Sequence, residues 1–365
     1  MKVLIKLKIN IFKKLMMPSI LLMWGHVSNV MATCNTTGIS GQTQYNNTVA
    51  IIGGDFSAGS ELPVGSVIRR QRIIGLRDVN ASCTSPVIVT GYLVNGSLYP
   101  GQTNIFNTGV NGLGVRFKSL ATGTYYPFSQ STGVNVVLLS RQTHLAYDIE
   151  FVKMGVISAG QVNTASFPML VVDATDGSAG PAWAMRGYYS GGFSIRVPTC
   201  TTPDYSYNLG TFGISSFENI GDSSSWRDTP IILTGCNSFY GNNVNNSFTQ
   251  YTMTGTNTGN VVESGSLAPV NIYVTLNPVT TPIDSNKGVL SLDSLATANG
   301  FGVQIGFKSG NLFTPQNLNS DFIVTPPIGV SGSISIPLGA RILRTNQSIS
   351  PGTISSSVTY TINYK

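Results

Sequence analysis

Two acidic pairs come first among the residues whose types and spacing could do chemistry. Asp148 and Glu150 stand two apart in RQTHLAYDIEFVK, which puts both carboxylates on one face of an extended chain. Two carboxylates suffice for glycoside hydrolysis when one acts as acid and the other as nucleophile or base. Asp173 and Asp176 lie in DATDGSAG, between the apolar runs PMLVVDA and AWAMRGYY. That pattern reads first as a hairpin turn and only second as a catalytic or calcium site. His144 is the one histidine beyond the first 32 residues, so a metal centre built on several histidines is excluded. No GxSxG turn accompanies it. Read as part of a strand in which Leu145, Tyr147 and Ile149 alternate, His144 points to the opposite face, either as a structural or solvent-facing residue or as a ligand contact.

The run IRRQRIIGLR gathers Arg69, Arg70, Arg72 and Arg77 in a chain with only 10% charged residues. Arg70 and Arg72 share one strand face, and Arg69 shares the other with Gln71. Such a strand either blunts a sheet edge against mispairing or grips an acidic or hydrogen-bonding partner, such as a sulfated glycan or a matrix protein. Aromatic residues gather in TYYPF (Tyr125, Tyr126, Phe128) and AWAMRGYYSGGF (Trp183, Arg186, Tyr188, Tyr189, Phe193). Rings stack on sugar C–H faces while polar groups take the hydroxyls, although in a β-sandwich the same residues also fill cores. No glycine-rich loop leads into a helix, so no dinucleotide or phosphate loop is present, and no cofactor is implied.

The elements that must position these residues are strands. With 40 Gly, 18 Pro and 41% hydrophobic residues among 365, alternating apolar pieces recur between turn signals, and no amphipathic helix of ten residues or more is found. The expected class is all-β with sandwich architecture. Residues 1–32 read as a secretory signal peptide: Lys2, Lys6, Lys8, Lys13 and Lys14 precede the short apolar run MMPSILLMW and a small-residue cleavage signature. Without those lysines the remaining basic residues nearly balance the 15 acids, which removes a global case for nucleic-acid or membrane binding. The four cysteines fall into two pairs, and pairing Cys34 with Cys83 and Cys200 with Cys236 fits two independently folding units in an oxidising compartment. The boundary is placed where SIRVPTC ends a strand at Pro198, giving domains at 33–197 and 198–365.

The C-terminal segment resembles the pilin domain of chaperone-usher fimbriae. The resemblance rests on the penultimate aromatic Tyr364, on Gly352, on the alternating Ile354, Ser356, Val358, Tyr360 and Ile362, and on GFGVQIGFKSG and SISIPLGARIL. ELPVGSVI and GLGVRFKS are similar to the receptor-binding domain of the type 3 fimbrial, MrkD-like tip adhesins. The resemblance implies an N-terminal receptor-binding sandwich followed by an incomplete Ig-like pilin domain whose missing strand leaves a groove. It places Gly352, Ile354, Val358, Tyr360, Ile362 and Tyr364 at that groove, with Val358, Tyr360 and Ile362 facing in. It further implies a periplasmic pilus chaperone, an outer-membrane usher and the next subunit's donor strand as partners.

With a predicted mature start at Thr33-Cys34 there is no donor strand of its own, which places the subunit at the fimbrial tip on the cell surface. The expected function is non-enzymatic attachment to a host glycan or matrix protein. Candidate ligand contacts are Arg69, Arg70, Arg72, Arg116, Tyr125, Tyr126, His144, Trp183, Arg186, Tyr188 and Tyr189. A minor adaptor subunit without ligand and a secreted β-sandwich glycan-active enzyme are the alternatives.

Overall fold

The structure, a computed structural model, describes residues 34–38, 45–52, 54–57, 62–177, 180–241 and 247–365; the expected leader lies outside the described residues. Strands used below are β1 (Tyr45–Ile51), β2 (Val67–Ile74), β3 (Ile88–Val94), β4 (Leu113–Ser119), β5 (Phe128–Ser131), β6 (Tyr147–Lys153), β7 (Met169–Thr175) and β8 (Ala182–Gly191). They are followed by β9 (Ile231–Cys236), β10 (Phe248–Met253), β11 (Gly259–Ser264), β12 (Ile272–Pro278), β13 (Phe301–Ser309), β14 (Phe322–Val324), β15 (Gly332–Ile336), β16 (Leu338–Arg344) and β17 (Val358–Tyr364). The described chain is all-β and forms two β-sandwiches, each around its own apolar core. Both expected disulfides are present, Cys34–Cys83 and Cys200–Cys236.

In the first sandwich a six-stranded sheet runs β11–β10–β2–β6–β4, with the short Phe106–Asn107 at its edge. A five-stranded sheet, β1–β8–β7–β3–β5, covers it. Alternation does the sorting: Ile73 of β2, Ile149 and Phe151 of β6 and Phe117 of β4 turn inward to meet Leu170 and Val172 of β7.

The hairpin β10–β11 comes from beyond residue 198 yet completes this sheet. β10 lies parallel to β2, with Gln250 opposite Arg72 and Tyr251 opposite Ile73. FTQYTM carries Tyr251 and Met253 at alternating positions, and both are buried in the first core. β2 is therefore an interior strand flanked by β6 and β10, which corrects the reading of IRRQRIIGLR as a blunted sheet edge.

The second sandwich is built from a sheet containing β16 and β13, the pair β9–β15, and the three-stranded sheet β14–β12–β17. β17 pairs with β12 over its whole length, from Val358 opposite Pro278 to Tyr364 opposite Ile272. It is the end strand of that sheet. Its alternate apolar residues pack on the second core but stay partly exposed.

Candidate functional site

The Arg and acidic motifs meet on the outward face of the six-stranded sheet. Antiparallel register sets Glu150 between Arg70 and Arg116, and Asp148 between Arg72 and Lys118. The same-face spacing of each motif thus becomes a cross-strand charge ladder. Arg72 grips Asp148 with two bonds, Nε to Oδ1 at 2.8 Å and Nη2 to Oδ2 at 3.0 Å. On Glu150, Oε1 accepts from Arg70 Nε at 3.1 Å, while Oε2 accepts from Arg116 Nε at 2.8 Å and from the Tyr125 hydroxyl at 3.3 Å. The Arg116 guanidinium lies 4.3 Å over the Tyr125 ring, and that of Arg72 lies 4.0 Å over Phe248 of β10. Bidentate bonding to Asp148 raises the Arg72 pKa. Both carboxylates are buried beneath the arginines, so the pair serves to fix the guanidiniums in place, and Arg70, Arg72, Arg116 and Tyr125 are brought together at one surface.

Other expected contacts lie elsewhere. Arg69 is buried on the core face, 4.0 Å over the Phe56 ring and 4.6 Å over Phe193, and donates from Nη2 to the Ile52 carbonyl. Burial lowers its pKa to about 10. Its neighbour Gln71 accepts from Ile52 N–H at 2.9 Å and donates to the Ala50 carbonyl at 2.7 Å, satisfying backbone at the end of β1. Tyr126 is buried against Phe128 and Tyr147. Neither Arg69 nor Tyr126 reaches a surface ligand.

His144 sits in a turn before β6 and not in a strand, because Ser140 N–H and the Thr143 hydroxyl hold its Nδ1 at 3.3 and 3.1 Å. Asp173 belongs to β7 and not to the turn; the strands it was expected to separate do pair as a hairpin, with Ala174 opposite Ala182. Trp183 and Arg186 stack at 4.4 Å on the outer face of the second sheet, near the exposed Tyr188. Tyr189 turns inward toward Phe117 and Phe167. The aromatic segment is therefore divided between two faces.

A groove of about 1160 Å3 opens in the second sandwich. Val358 and Tyr360 of β17 form one wall with Ile354 and Gly352, and core residues such as Leu276, Leu290, Val303 and Ile305 form its base. The 202–212 segment crosses its mouth without joining a strand ladder. That segment is tied by hydroxyl bonds: Tyr205 to the Ile232 carbonyl at 2.6 Å, and Tyr360 to the Pro203 carbonyl at 2.6 Å. At Gly352 a Cβ would stand 2.5 Å from the Ala298 amide nitrogen, so only glycine lets the chain pass that close before it enters β17. Ile362 and Tyr364 pack on the second core, Tyr364 5.7 Å from Phe239, and neither lines the cavity. The expectation that Ile362 faces into the groove is corrected accordingly.

Comparison with known proteins bears on the first sandwich. Residues 50–169, which contain β2, β3, β4, β5 and β6, match the family described as "MrkD-like receptor binding domain". The chain resembles the MrkD-like tip adhesins of chaperone-usher fimbriae. The MrkD-like segment bears the whole Arg70–Glu150–Arg116 row; β8 and β10 lie beyond it. Among solved structures, the CupB6 tip adhesin from Pseudomonas aeruginosa is similar at 14% identity, with 91% of this chain and 94% of that one covered and a TM-score of 0.35. The receptor binding domain of the plasmid-born adhesin MrkD1P of Klebsiella pneumoniae is similar at 16% identity over 46% of this chain and 99% of that one, with a TM-score of 0.33. The P pilus rod subunit PapA follows at 12% identity over 46% and 99%, with a TM-score of 0.30. No curated protein matches the chain.

The stretch that sequence reading missed is Phe248–Met253, which carries Gln250 and Thr252. Its signal was the alternation of Thr249, Tyr251 and Met253, which shows a strand but not the sheet it joins.

Proposed function

We propose that this protein is a non-enzymatic fimbrial adhesin of the chaperone-usher type, carried at the fimbrial tip and attaching the cell to a host glycan or matrix protein. The observation that carries this reading is the MrkD-like match over residues 50–169, which contains the fixed guanidinium row. Residues 33–197 form the receptor-binding unit and 198–365 the pilin unit, although the hairpin β10–β11 of the second unit docks on the first. The groove beside β17 supports a strand-accepting role: its edge strand offers backbone to a partner, its base is apolar, and Ile354, Val358 and Tyr360 add apolar surface to a wall that also carries Ser355, Ser356 and Thr359. Its occupants are first the periplasmic chaperone and then the next subunit's donor strand, delivered at the outer-membrane usher.

The test uses the full chain, co-expressed with its chaperone and then exchanged onto a donor-strand peptide of alternating apolar residues. Applied to a glycan and matrix-protein array, the complex should bind at least one immobilised ligand, and Arg72→Gln, at the end of the guanidinium row, should weaken that signal. A full chain that refuses the peptide and binds nothing on the array would overturn the proposal.

A further inference from the structure

The outward face of the first sheet does not end at the charge ladder. Beside Arg72 it dips into a depression of about 420 Å3, whose rim is Arg72, Arg141, Gln142, Gln250 and Thr252 and whose floor is Ile74 and Leu120. Four parts of the chain build it, one of them Leu120 just after β4. β2 supplies Arg72 and Ile74; β10, in parallel register, sets Gln250 opposite Arg72 and Thr252 opposite Ile74; the turn before β6 adds Arg141 and Gln142.

Among the described residues the lining contains two guanidiniums and no carboxylate. Asp148 takes Nε and Nη2 of Arg72 and Phe248 supports the guanidinium plane, so Nη1 is held in a fixed direction. Arg141 is anchored through its backbone N–H to Asp78 at 2.6 Å, while its Nη1 makes only a long 3.4 Å contact to the Leu76 carbonyl. The arrangement suits one carboxylate received by two guanidiniums. Around it, two side-chain amides and a hydroxyl both give and take hydrogen bonds, the requirement of vicinal sugar hydroxyls, and an aliphatic floor meets a C–H face. The volume lies toward the small end of ligand sites, roughly 300 to 1,000 Å3. An acidic peptide bound as an added strand would need a free edge, and β2 has a paired neighbour on each side.

We infer that this depression binds a saccharide bearing a carboxylate, with the carboxylate between Arg72 and Arg141 and the hydroxyls on Gln142, Gln250 and Thr252. The inference rests on the adhesin reading and deepens it by naming a ligand class. The site is completed by the hairpin, so a ligand that touches Arg72 and Gln250 together also favours the docked hairpin.

The experiment titrates the full chain, carrying its donor-strand peptide, with the methyl glycosides of N-acetylneuraminic acid and glucuronic acid, with methyl glucoside, and with a hexaglutamate peptide. At least one acidic glycoside should bind, and methyl glucoside and hexaglutamate should not. Arg141→Gln and Gln250→Ala should each weaken the acidic glycoside about tenfold or more with the urea midpoint of the parent retained. Unchanged affinity in both variants, or preference for the peptide or the neutral sugar, would overturn the inference. If the chain binds the array but no acidic glycoside, this inference falls and the adhesin reading stands; if it binds neither, both fall.

Discussion

Glu150 holds the outward face of the first sheet together. Its side chain is only 2% exposed and it answers two guanidiniums and a phenol. Replacing one member of such a network leaves charges without a partner, which costs about 3–5 kcal/mol when both sides are fully buried. Arg70 and Arg116 keep 16% and 19% exposure, so water recovers part of that. Glu150→Gln should lower the unfolding free energy by about 2 kcal/mol, read as a shift of the urea midpoint at constant slope; an unshifted midpoint would make the ladder ornamental.

His144 gives a second test at this scale. Burial lowers its pKa, whereas in the unfolded chain it stays near about 6.5. Below that value the unfolded chain takes up the proton first, so this contribution to stability is lost as the pH falls through about 6.5. His144→Gln should narrow the gap between urea midpoints measured near pH 7.5 and pH 5.5. Asp173, whose carboxyl is pushed up by burial, works in the opposite sense, so the comparison with the variant is the measure and the absolute slope is not.

At the scale of the element, β17 has two kinds of inward residue. Val358 and Tyr360 line the groove, while Ile362 and Tyr364 seal the core end. Tyr360→Asp puts a charge on the groove wall and removes the bond to the Pro203 carbonyl, so it should weaken an alternating apolar peptide more than about tenfold by fluorescence anisotropy. Thr361→Asp, on the exposed face, should leave that affinity unchanged. Equal effects from the two variants would mean that the peptide does not enter the groove. Tyr364→Ala instead removes a ring packed near Phe239 and should cost about 3 kcal/mol of stability.

At the scale of the whole molecule, the hairpin β10–β11 ties the two units of chain. Without it the β2 edge stands open and the first core loses Tyr251 and Met253. A fragment ending at residue 197 should therefore self-associate through that edge and elute larger than a monomer by size-exclusion chromatography, whereas the peptide-complemented full chain should elute as a monomer. A stable monomeric fragment would show that the hairpin is dispensable to the first sandwich.

The sequence by itself determined the all-β class, the residues that share a face within an alternating segment, and a grouping of the cysteines into the two pairs that are present. The alternation in IRRQRII and AYDIEFV set Arg70 and Arg72 on one face and Asp148 and Glu150 on another, because side-chain direction along a strand is a local property of period two. Only the tertiary structure decided what those faces meet. Register between β2, β4 and β6 joined them into one ladder, and Phe248, far along the chain, came to lie under Arg72. Arg69 had the same charge as Arg70 beside it, yet it went inside, where the Ile52 carbonyl and two phenyl rings receive it. The groove was implied by the resemblance of the last segment to a pilin domain, but which residues line it depended on where the 202–212 segment and the core end. Pairing between distant strands is fixed by the burial each allows the other, and no local pattern contains that information.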